Sequence, residues 1–111
     1  MRLLFRAALA FTIGWQLANC SKAKASGASL FKDNCSGCHG ESGAGDGPAA
    51  PYMGVKPRNL VKDPFIQGDS VAAISSTISG GLGAYMPAFG SKLTDPEIDS
   101  LAKYVRGLRE K

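Results

Sequence analysis

Cys35-Ser36-Gly37-Cys38-His39 decides the reading of this chain. Two cysteines separated by two residues and followed at once by histidine form the spacing at which haem is attached covalently. The thiols bind the vinyl groups as thioethers, and the imidazole lies under the iron as proximal ligand. His39 is the only histidine in the sequence, so no second candidate competes for that role. Three other chemistries use parts of the same pentapeptide. A zinc site needs four ligands, usually as two separated pairs, and only Cys20 stands outside the cluster. A thioredoxin-like dithiol requires a βαβ context that the flanks lack. A plain disulfide leaves the adjacent histidine without a role.

Outward toward the N-terminus, Arg2 and Arg6 precede an apolar run from residue 7 to residue 18, the pattern of an export signal and too short for a comfortable membrane span. Two cleavage points compete. Leu17-Ala18-Asn19-Cys20 resembles a lipobox, with Cys20 as a lipid-bearing N-terminus, although Asn19 departs from the usual small residue. Ala23-Lys24-Ala25 is an A-x-A site that would release the chain at Ser26. The expected organisation is a signal peptide over residues 1–19 (alternatively 1–25), a flexible tether over 20–27 and one domain over 28–111. The formal net charge of +4 belongs to the leader and tether, because a chain starting at Ser26 keeps nine basic against nine acidic side chains. That balance excludes a nucleic-acid surface.

A mature chain of about 86 to 92 residues builds only a thin core, and a covalent haem supplies the missing apolar body. The legible elements are helical. A first helix is expected from Ala28 to Cys35, carrying Leu30 and Phe31. Asp69 is placed to cap a second, with Val71, Ile74 and Ile78 on one face and Gly80-Gly81 as its stop. Residues 59–66 suggest a helical turn interrupted by Asp63-Pro64. Thr94 and Glu97 have capping-box spacing, and Ile98, Leu101, Ala102, Val105 and Leu108 form one apolar stripe of a last helix. The fold class is therefore all-α, three to four short helices and loops wrapped around one covalent haem c.

Between these elements, the glycine-rich stretch from Gly40 to Ala50 reads as a loop wrapping one edge of the ligand. A phosphate cradle is the weaker alternative, since no Lys-Ser or Lys-Thr follows and no strand precedes. Met86, in Tyr85-Met86-Pro87, is the candidate second axial ligand in a chain without a second histidine. Met53 is the rival, placed at a disadvantage by its short connection to His39.

Together these pieces resemble a monohaem class I cytochrome c of the small bacterial type, over roughly Gly27 to the C-terminus. Gly27 and Phe31 match the family's small residue and aromatic on the first helix, and Leu101 and Tyr104 match their partners on the last. Gly47-Pro48 is similar to the loop in which the Pro48 carbonyl accepts a hydrogen bond from His39. The resemblance further implies that Arg58 or Asn59 hydrogen-bonds a haem propionate. The function it implies is one-electron transfer by a His39/Met86-ligated haem c, between redox protein donor and acceptor, by an exported monomer in the periplasm or held to the membrane through Cys20. Gly37, Ala84, Tyr85, Ala88 and Phe89 are expected around the exposed haem edge. Two other functions stay open: a haem-bearing subunit fixed in an oxidase or dehydrogenase complex, and a haem peroxidase or gas sensor with an open iron position.

Overall fold

The computed structural model describes residues 25–109. The expected signal peptide, both candidate cleavage sites and Cys20 lie outside the described residues. Four α-helices follow in chain order: α1 (Gly27–Asn34), α2 (Ser36–His39), α3 (Val71–Gly80) and α4 (Asp95–Leu108), with a 3-10 turn at Ala50–Tyr52. Among the described residues the only β-type pairing is an isolated antiparallel bridge between Leu82 and Met86.

Helices α1, α3 and α4 each begin where a side chain satisfies an orphan backbone donor, whereas α2 follows Cys35 with no side-chain cap. Ser26 Oγ accepts from the Ser29 N–H at 3.1 Å, which starts α1 one residue before the expected Ala28. The cap of α3 is Ser70, accepting from the Ala73 N–H at 3.0 Å, and not Asp69. Thr94 and Glu97 form the reciprocal capping box at the start of α4: Glu97 N–H donates to Thr94 Oγ1 at 3.3 Å, and Thr94 N–H donates to Glu97 Oε1 at 3.0 Å. Residues 59–66 hold a single helical turn, with the Asp63 N–H on the Asn59 carbonyl at 2.9 Å.

The core forms where α1 and α3 pack on α4. The apolar stripe of α4 is buried in full, and Phe31 and Leu101 are the largest side chains with almost no exposure. The crossing of α1 over α4 depends on Gly27. A Cβ there would fall on the Ser100 carbonyl oxygen and 2.8 Å from Tyr104 Cβ. With no side chain between the backbones, the Phe31 and Tyr104 rings meet at 5.3 Å between centroids, tilted by 49°. This crossing sets the end of α1, and therefore Cys35, beside the core.

Candidate haem site

Cys35 is the residue at which α1 ends, its N–H still bonded to the Phe31 carbonyl at 2.8 Å. One further turn, α2, carries Cys38 and His39. A helix this short leaves every carbonyl without an internal partner, and the glycine-rich loop supplies them. The N–H groups of Gly40, Ala49, Gly47 and Gly45 bond the carbonyls of Ser36, Gly37, Cys38 and His39 at 2.9, 2.8, 3.1 and 2.7 Å. The loop thus wraps the carbonyl end of the attachment turn, and none of residues 40–50 lines the two cavities that His39 borders.

His39 is half-buried, and its Nδ1 lies 3.1 Å from the carbonyl oxygen of Arg58. A carbonyl only accepts, so Nδ1 carries the hydrogen and Nε2 keeps the lone pair that a metal requires. Burial pushes the imidazole below its ordinary value of 6.5, and the bond to Arg58 offsets part of that shift. The ring is accordingly neutral, the form that ligates iron. The Arg58 carbonyl takes the place expected for that of Pro48. Pro48 is exposed and lines a separate cavity with Ser36, Gly37, Glu41 and Asp46, because the loop's turn directs it away from the imidazole.

A cavity of about 400 Å³ is lined by Cys35, Cys38, His39, Met53, Arg58, Tyr85, Met86 and Phe89, among others. A second, of about 100 Å³, adjoins it and shares Cys35, His39, Arg58, Leu82 and Met86. Its remaining wall is largely core: Phe31, Leu60, Phe65, Ile74, Ile78 and Val105. Both cysteines are free thiols, and burial, with the neighbouring Cys38 charge as a smaller cause, pushes the Cys35 thiol up to about 11. The donor set suits a haem: two free thiols, an oriented neutral imidazole and a thioether on one cavity with largely apolar walls, in the size range of small-molecule pockets. Among the described residues no group of three or more His, Cys, Asp or Glu is placed to hold a bare metal ion, which disfavours zinc.

Met86 is half-buried and held by the bridge to Leu82, its N–H donating to the Leu82 carbonyl at 3.2 Å and its carbonyl accepting from the Leu82 N–H at 3.0 Å. Met53 also lines the main cavity, so the short connection from His39 does not keep it away. Arg58 lines both cavities, but its guanidinium donates to the Pro64 carbonyl at 2.7 Å. Asn59 lines neither. Its Oδ1 accepts from the N–H groups of Val61 and Lys62, capping the turn that follows. Of the residues expected around an exposed edge, Tyr85 is 52% exposed, whereas Phe89 is 7% exposed and belongs to the core. The Arg58 carbonyl escaped the sequence reading because a backbone acceptor carries no residue signature.

An all-α fold built on a Cys-x-x-Cys-His turn, with a thioether on the same cavity, defines the class of the c-type cytochromes. The family model for cytochrome c oxidase, cbb3-type, subunit III matches residues 22–105, and the chain belongs to that family of cytochrome c domains. It is 36% identical over 84 residues to the cbb3-type cytochrome c oxidase subunit CcoP of Cereibacter sphaeroides, covering 76% of this chain and 27% of that protein. It is 39% identical over 85 residues to cytochrome c6 of Microcystis aeruginosa, covering 77% of this chain and 96% of that one. The crystal structure of cytochrome c6 from the diatom Phaeodactylum tricornutum superposes with a TM-score of 0.55 at 33% identity, over 76% of this chain and 91% of that one. The chain spans about a quarter of the length of the curated oxidase subunits it matches. Its cofactor is a covalently bound haem c, and the chain is a haem c electron-transfer domain of the small monohaem type.

Proposed function

We propose that the chain is a one-electron carrier whose haem is joined to Cys35 and Cys38, with His39 and Met86 as axial ligands. The observation that carries this reading is the convergence of all four side chains on one cavity, with the His39 Nδ1–H already committed to the Arg58 carbonyl. When bound, the haem supplies a reversible one-electron centre, and a histidine/methionine pair places its potential above that of two nitrogen ligands. The protein's part is to hold this centre unchanged through the cycle. The Arg58 carbonyl fixes the tautomer and angle of His39 and raises its basicity. The bridge at Leu82 restrains the Met86 backbone, and the Phe31, Ile74 and Ile78 wall excludes water. Arg58 keeps further guanidinium N–H groups as donors for a propionate, while the Asn59 side chain is spent on its own turn.

A methionine-to-iron charge-transfer band in the oxidised wild-type protein tests the ligand pair. Met86→Ala abolishes the band and opens the reduced protein to carbon monoxide, whereas Met53→Ala leaves the band in place. Loss of the band in Met53→Ala alone would transfer the ligand to Met53. Carbon monoxide binding by the reduced wild type would replace the carrier with the sensor or peroxidase reading.

The CcoP relatives favour a second reading, the same haem chemistry fixed within an oxidase complex. A lipid on Cys20 would hold the exported domain at the membrane surface beside such a complex, since several acyl chains anchor firmly where one does not. The intact mass of the mature protein distinguishes a lipidated Cys20 from a chain starting at Ser26. Cys20→Ala then releases an anchored protein into the periplasm, and co-purification with oxidase subunits separates fixed subunit from mobile carrier. On either reading the domain transfers electrons and catalyses no reaction by itself.

A further inference from the structure

The backbone that orients His39 is itself gripped by two arginines. The Arg58 carbonyl accepts from the His39 Nδ1–H at 3.1 Å, and the Arg58 guanidinium donates to the Pro64 carbonyl at 2.7 Å. Five residues on, Asp63 closes the same turn, with Oδ2 accepting from the Asn59 N–H at 3.0 Å. The Asp63 carbonyl accepts from the guanidinium of Arg109, immediately after the end of α4. That guanidinium lies over the Phe65 ring at 4.6 Å from its centroid, and Phe65 lines the smaller cavity. A half-buried cation therefore ties the C-terminus of α4 to the turn of residues 58–65, and through it to the proximal imidazole. No other ionic or side-chain bond from α4 to that turn occurs among the described residues.

We propose that Arg109 is a positioning residue for the haem, holding the 58–65 turn so that the Arg58 carbonyl stays on His39. The planar guanidinium suits this place because it bonds the carbonyl in its plane while stacking its face on Phe65, which an ammonium cannot do. The proposal rests on His39 being the axial ligand.

Its sign is distinctive. A well-held Nδ1–H bond makes the imidazole a stronger donor and favours the oxidised state. Loosening it raises the reduction potential. Simple removal of a nearby cation has the opposite effect, because the reduced centre carries one positive charge fewer and loses an attractive partner. The test is made on the haem-loaded protein with Arg109→Leu, which keeps an apolar contact for Phe65, and Arg106→Leu, which removes an equal charge from an exposed site in the last turn of α4. In Arg109→Leu the His39 Nδ1–H proton, followed by NMR in the reduced protein, exchanges about tenfold faster and the potential rises. Arg106→Leu leaves the exchange rate unchanged. Arg109→Lys, which retains the charge and can still donate to the carbonyl but lacks the planar face for Phe65, recovers part of the wild-type exchange rate. An unchanged exchange rate in Arg109→Leu, or a potential that falls as charge removal alone requires, overturns the proposal. Absence of a haem-shifted His39 resonance from the wild-type protein removes the ligand assignment itself, and this inference with it, before any variant is compared.

Discussion

Gly45 occupies a narrow place behind His39. Its φ of +83° lies in the left-handed region, and a Cβ there would stand 2.5 Å from the Pro57 carbonyl oxygen, on the peptide that leads into Arg58. Its N–H bonds the His39 carbonyl at 2.7 Å, so the residue touches the backbone of His39 on one side and the peptide of its hydrogen-bond acceptor on the other. Gly45→Ala is expected to destabilise the protein by about 1–3 kcal/mol, since positive-φ strain and backbone crowding act together. Denaturant unfolding of the haem-loaded variant measures it, and a loss below about 0.5 kcal/mol would mean that the 57–58 backbone yields freely. At this scale the attachment motif was legible because Cys35, Cys38 and His39 fall within five residues and their types carry a chemistry. The acceptor for His39 was not. Pro48 follows a glycine in the expected loop, but every residue offers a carbonyl, and which one reaches the ring depends on how Gly40, Gly43 and Gly45 turn the chain.

Helices α1 and α4 meet at a point where two magnitudes oppose each other. Gly27→Ala improves helix propensity by about 1 kcal/mol at most, but it places a methyl group on the Ser100 backbone carbonyl, which α4 holds in place. Overpacking of this kind costs about 1–3 kcal/mol, so crowding wins and the variant loses stability, with a lower thermal midpoint. A raised midpoint would show that the two helices slide apart cheaply. The start of α4 yields a second element-scale expectation. Removing the Thr94 hydroxyl with Thr94→Ala costs roughly 1 kcal/mol, read as a shift in denaturant midpoint. Its partner Glu97 is held below the ordinary glutamate value of 4.5 by the Thr94 N–H first and the Thr94 hydroxyl second. A folded-state value below the unfolded one stabilises at pH above 4.5 and loses that contribution as pH falls through the folded value. The midpoint difference between wild type and Glu97→Gln should therefore be present at pH 7 and vanish in the acid range; a difference independent of pH would assign the effect to packing. The box was legible because its spacing is local. Asp69 and Ser70 are equally competent caps in sequence, and only the register of Ile74 and Ile78 against α4 selects Ser70.

Across the whole described molecule the charges cancel, with eight basic and eight acidic side chains between residues 25 and 109. They are not evenly spread. Asp95, Glu97 and Asp99 lie toward the start of α4, and Arg106 and Arg109 at its end. Around the main cavity Lys56 joins Met53, Val55, Leu82 and Tyr85, and the other charged side chains of its lining are Arg58 and Asp63. This lysine modifies the fully uncharged rim that the sequence suggests. Neighbouring Tyr52 is 89% exposed, Tyr85 52% and Val55 44%, so an approaching partner meets aromatic and aliphatic surface first. Long-range steering, which accelerates association by about 10- to 1000-fold where one sign of charge dominates, has no net charge to act through here. The remaining dipole and Lys56 are screened beyond about 8 Å at physiological ionic strength. Apolar contact, in contrast, is insensitive to moderate salt. The second-order rate of electron transfer to a physiological partner should therefore change by less than about threefold between roughly 20 and 200 mM salt, measured by stopped flow, with Lys56→Gln reducing even that dependence. A tenfold or steeper fall over the same range would locate docking on the charged ends of α4 instead, and would move the electron's exit away from Tyr85.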